Sequence, residues 1–129
     1  MPKNLKADAV YLMEALDKGE VEAYEKRRNA INYRDVVRVL KFINNDGDNI
    51  LHFLVRLERF ESLSQDPNLD HFLFKEIQWI FDALHSWQFI GLMTKKNKQG
   101  ISPAQSAAFS MLESQEAGWK TNLSKPFSD

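Results

Sequence analysis

Cysteine is absent from this chain of 129 residues. Disulfides, thiol nucleophiles and cysteine-based zinc or iron–sulfur sites are therefore excluded, and either redox compartment is compatible. Glycine is scarce, at five residues, too few and too scattered for a phosphate-cradling loop or a dinucleotide fingerprint. An excess of one charge is missing too. Seventeen Lys and Arg against 18 Asp and Glu leave −1 overall, so the chain as a whole is no polyanion binder. No apolar run approaches the ~20 residues of a membrane span. No apolar stretch follows the opening Met1-Pro2-Lys3-Asn4-Leu5-Lys6 either. A cytoplasmic location is expected, with a periplasmic one open if a cleaved signal preceded this start.

What is present is a globular profile: 43% hydrophobic, 12% aromatic and 27% charged residues. That excludes general disorder, and the length suits one domain with its own core. We place the domain at 1–121 and read 122–129 as a polar tail.

The chain reads helical almost throughout. Ala7–Lys18 is amphipathic and Gly19 stops it. Glu20–Ile31 is a charged helix resting on Val21 and Tyr24. Arg34–Ile43 carries three Val, which argues for a strand. Arg34, Arg38 and Lys41 at helical spacing, with Asn32 as cap, argue for a helix, and we take it as one. Asn44 to Asn49 is a turn by composition, and Ile50–Phe60 is a helix capped by Asn49. Ser62–Asn68 is a loop, and Asp70 caps an aromatic helix reaching about Ser86. Trp87–Met93 is ambiguous, and Thr94–Gly100 is a polar turn. Ser102-Pro103 opens a last helix to about Ser114, with Gln105 completing a capping box.

Two stretches look alike: Asp46-Gly47-Asp48-Asn49-Ile50-Leu51-His52-Phe53-Leu54-Val55 and Lys98-Gln99-Gly100-Ile101-Ser102-Pro103-Ala104-Gln105-Ser106-Ala107-Ala108. Each runs glycine, one residue, a capping polar residue, then a helix. The pattern resembles the ankyrin repeat, which opens Gly-x-Thr-Pro-Leu-His-x-Ala with a period of ~33 residues. By position Asn49 and Ser102 take the Thr place, and Ile50 and Pro103 the Pro place. Leu51 and Ala104 take the Leu place, His52 and Gln105 the His place, Leu54 and Ala107 the Ala place. The first copy lacks Pro, and the second lacks Leu and His. His52 and Gln105 are 53 positions apart, about 20 beyond one period, and Arg59–Leu73 is the expected location of the excess. Leu12–Tyr24 reads as a degenerate first repeat, with Arg34–Ile43 as its second helix.

The resemblance implies an all-α, ankyrin-like solenoid of about three irregular repeats that binds another protein. It implies no enzymatic activity, cofactor or metal. A small bacterial inhibitor, immunity or self-protection protein that masks one partner fits that description, as a monomer or in a 1:1 heterocomplex. It also implies structural roles for Asn49, His52, Ser102, Pro103 and Gln105. The expected partner-binding residues are Asp46, Asp48, Lys95, Lys96, Asn97 and Lys98 at the turn tips, with Trp87 or Phe89 as the aromatic anchor. Ser62–Asn68 is an alternative anchor.

Other chemistry is thin. His52, His71 and His85 lie 19 and 14 apart, not at the spacing that puts two ligands on one helix face. The Asn44–Asn49 turn has no Gly at the sixth place of a calcium loop and no Glu at the twelfth. Residues 26–41 carry a net +5 and residues 44–70 a net −4. The alternative reading is a helical nucleic-acid-binding module using 26–41. A solvated face neutralised by the acidic stretch is preferred. Between Phe53 and Phe89, Leu73, Ile77, Ile80 and Leu84 make a core stripe flanked by Phe74 and Phe81. Trp79 falls off it.

Overall fold

The computed structural model describes residues 5–57 and 68–108. Helix α1, Leu5–Asp17, buries Ala9, Leu12, Met13 and Leu16, one face at helical spacing. It ends where Gly19 takes φ +73°. Gly19 N donates to Leu16 O and Glu20 N to Ala15 O, the paired bonds of a Schellman cap. The chain thereby reverses into α2, Val21–Ala30, which lies against α1.

The next segment departs from the single helix expected over Arg34–Ile43. A 3₁₀ turn, Tyr33–Asp35, leads into a short α3, Val36–Leu40. The Asn32 side chain accepts from Arg34 N and tightens the entry. At the exit, Asn44 gathers the N–H groups of Asp46, Gly47 and Asp48, so the backbone is committed to a turn from there. Helix α4, Ile50–Val55, follows under the Asn49 cap. Helix α5, Leu69–Ala83, begins behind Asn68. Asp70 is therefore not its cap but lies in its first turn, where a carboxylate still suits the helix dipole. Ser86–Met93, ambiguous in sequence, is helix α6; Gln88 accepts from His85 N at its start. Residues 103–108 are helical and are labelled α7. Every described element is helical. Helix α4 stops at Val55, short of the expected Phe60, because the Arg56 N–H turns back to Phe53 O and Leu54 O and closes the helix there. The loop 62–67, the helix end near Ser114 and the tail from Asn122 lie outside the described residues.

The core runs through all these elements. Leu12, Leu16, Tyr24, Leu40, Leu51, Leu54, Leu57 and Ile80 have almost no exposed surface. Burying each aliphatic side chain contributes roughly 1.5–3 kcal/mol before entropy is counted. Of the aromatic stripe, Ile80 and Leu84 are buried, whereas Leu73 and Ile77 are half-buried. Phe74 and Phe81 are exposed.

Two segments of the chain share local structure. Residues 31–52 and 84–105 correspond, 53 positions apart. Ile31 and Leu84 are the extended residues that end α2 and α5. Asn32 and His85 open the next elements, which span Tyr33–Leu40 and Ser86–Met93. Val39 and Leu92 are the equivalent buried residues. The turns that follow share their hydrogen bonds, as described next.

Candidate functional site

Each turn is built around one asparagine. Asn44 Oδ1 accepts from Asp46 N and Asp48 N, and Asn97 Oδ1 accepts from Gln99 N and Ile101 N. Asn44 N donates to Asp48 O, and Asn97 N to Ile101 O. Gly47 and Gly100 both hold φ +80°, which admits glycine readily and other residues poorly. Asn49 then accepts from Leu51 N, and Ser102 Oγ from Gln105 N, so both residues cap the helices that follow.

The two turns are stacked on each other. Lys98 N donates to Asp46 O. A Cβ at Gly47 would sit 3.0 Å from Lys98 N and 3.1 Å from Asn97 Cα, so glycine is also required by close approach. His52, at 0% exposure, ties the layers together. Its Nδ1 accepts from Asn49 N at 2.9 Å, which leaves the proton on Nε2, facing Ile101 O at 3.0 Å. Burial lowers the His52 pKa, with the Ile101 carbonyl opposing. Asn49 Nδ2 donates to Leu92 O, a second bond between the layers.

Two residues expected to face a partner do not. Asp48 is 5% and Asn97 8% exposed. Arg56 grips the Asp48 carboxylate with two nitrogens, at 2.9 and 3.1 Å, and Asn97 Nδ2 donates to it at 2.9 Å. Burial alone would raise the Asp48 pKa, but the Arg56 and Asn97 bonds hold it below the usual carboxylate value. These groups are spent on the turn stack. Asp46, Lys95, Lys96 and Lys98 are exposed.

Beside the stack lies a shallow depression lined by Lys41, Ile43, Trp87, Gly91, Leu92 and Lys95. Trp87 is 69% exposed, with the His85 ring parallel to it at 6.4 Å between centroids. Phe89, the other expected anchor, is half-buried and packs edge-on against Phe81.

Among the described residues, the basic segment is neutralised in part by Asp8 and Glu76. Arg27 pairs with Asp8 at 2.9 Å and lies over the Tyr11 ring. Arg28 places two nitrogens on Glu76, at 2.7 and 3.0 Å, and covers Trp79. The same buried carboxylate accepts from Tyr24 Oη. Burial, reinforced by Glu76, raises the Tyr24 pKa well above its usual value. Comparison with family models, curated proteins and solved structures finds no match.

Glu76 and Arg56 were not singled out by sequence reading. Glu76 had a signal, since it falls in line with Leu69, Leu73 and Ile80 on the apolar stripe. Arg56 had none, because its partner is set by how α4 leaves the turn. Among the described residues, no group of three or more His, Asp or Glu is placed to hold a metal. No described helix is long and apolar enough to cross a membrane.

Proposed function

We propose that the chain is a non-enzymatic protein-binding module: a stack of about three irregular, ankyrin-like repeats that captures and masks one partner protein, as a small inhibitor or immunity protein does. In this reading α1–α3 form the first unit, α4–α6 the second, and α7 opens the third. The observation that carries it is the His52 bridge. A histidine that closes its own helix cap and bonds the backbone of the following turn passes register from one unit to the next. Units of this kind cannot bury their apolar faces alone and gain a core by stacking. A stack also holds its turns and helix faces as a rigid display surface, which lowers the ordering cost of binding. The exposed lysines near the second turn and the exposed Trp87 supply the two things a binding face needs. Charge steers the encounter, and a desolvated aromatic supplies affinity.

The test is capture of the partner from the source cells at about 150 mM salt, a strength at which phosphate-driven contacts are weakened. The captured protein is then purified and recombined with this chain. A 1:1 complex by light scattering is expected. Nucleic acid released by nuclease treatment, with no stoichiometric protein, would overturn the reading in favour of the basic segment as a nucleic-acid surface.

A further inference from the structure

We propose that the exposed face of α6 docks an extended acidic segment of the partner protein, one that sets a large apolar side chain among carboxylates. This rests on the reading of the chain as a protein-binding module.

The argument starts from Gly91. It sits inside α6 with ordinary helical backbone, since only Gly19, Gly47 and Gly100 among the described glycines have positive φ. Nor is space the reason for it: a Cβ there meets no heavy atom within 4 Å. Glycine is the poorest helix former after proline, so the fold alone gives no cause for it. The repeat supplies an internal control. The position equivalent to Gly91 is Arg38 and that equivalent to Trp87 is Arg34, both exposed. The same scaffold thus accepts two arginines where the second unit carries an exposed tryptophan and a bare patch of backbone. Ile90, on the same face as Trp87 and Gly91, is 58% exposed.

Together these features form an apolar floor with an aromatic wall, where a chain can approach the helix backbone over Gly91. The rim sets the partner's charge. Lys41 and Lys95 line the depression, no Asp or Glu does, and Lys96 and Lys98 follow nearby. Lysines at a rim speed the encounter with an acidic segment but hold it weakly. Trp87 must then hold the apolar side chain that sits between the carboxylates.

The experiment is random-peptide display against the full chain, with the Gly91→Leu protein as counter-target, and titration of the selected peptides. Gly91→Leu removes a helix-weakening glycine and its Cβ meets no heavy atom within 4 Å, so it should melt at or above the wild-type temperature while the rest of the side chain occupies the open depression. The selected peptides should be rich in Asp and Glu around a Trp, Phe or Leu. Their affinity should fall at least tenfold on Gly91→Leu and on Trp87→Ala. Lys41→Glu with Lys95→Glu should slow association and flatten its salt dependence. An empty selection, peptides without acidic bias, or acidic peptides that bind Gly91→Leu as well as wild type would overturn the proposal. So would an oligouridylate probe that binds through Trp87 where the peptides do not. If the purified partner still forms its 1:1 complex while all four substitutions are silent, this site is wrong and the module reading stands. If no protein complex forms at all, the module reading fails with it.

Discussion

At the scale of single residues, His52 concentrates the most consequence. It is buried and neutral, with one ring nitrogen accepting and the other donating. His52→Ala leaves Asn49 N and Ile101 O without that partner and should cost about 1–3 kcal/mol. Its pH dependence has a fixed sign. The folded chain holds the His52 pKa below the ordinary value of 6.5, so below that pH the unfolded chain binds more protons. Stability is therefore full above pH 6.5 and falls as pH drops from there toward the lowered folded value. Asp48, 3.9 Å from Nδ1, adds a second loss further down. Its carboxyl is held below the ordinary 3.8, so the stability it contributes above that pH disappears as pH falls through the folded value. Urea midpoints measured across pH 8 to 5 should drop for wild type. His52→Gln keeps an acceptor for Asn49 N, as Gln105 does for Ser102 N, and has no proton to gain. A wild-type profile flat across that range would show that His52 is not the titrating element.

At the scale of elements, the joint between α2 and α5 is ionic, with Glu76 between Arg28 and Tyr24. Replacing Glu76 by Ala strands a half-buried guanidinium and a buried hydroxyl. The expected cost is about 3 kcal/mol, the low end for a broken buried pair, because the Arg28 side chain keeps 21% exposure. Apolar replacement of all three groups, Tyr24→Phe with Arg28→Met and Glu76→Leu, should recover most of that loss, since buried ion pairs contribute little net stability over well-packed apolar side chains. A triple variant as unstable as Glu76→Ala would mean the pair contributes more than position. The same elements show what sequence could and could not tell. Helix caps at Asn49 and Ser102 and the interval between them were legible, because capping and left-handed glycine act over four or five residues. The breaks at Tyr33 and Leu40 were not legible, because short-range periodicity continues through them. The burial of Asp48 and Asn97 was also hidden. Both are turn residues by composition, and only the stacking of one turn on the other removes them from water.

At the scale of the molecule, charge is sorted by what it touches. Of the six cations in residues 26–41, Arg27 and Arg28 are committed to Asp8 and Glu76. Lys26, Arg34, Arg38 and Lys41 remain exposed. A phosphate backbone is bound by neutralising consecutive phosphates, each contact releasing counterions, and four exposed cations on a chain of net charge −1 make a weak footprint. Short duplex or single-stranded DNA or RNA should therefore show no measurable binding by fluorescence anisotropy near 150 mM salt. Any binding at low salt should vanish steeply as salt rises. The acidic-peptide complex should behave differently, because Trp87 supplies an apolar contribution that salt does not screen. Its association rate should fall with salt while its dissociation rate holds nearly constant. Micromolar nucleic-acid binding that persists near 150 mM salt and is lost on Arg34→Glu with Arg38→Glu would move the function to the basic segment.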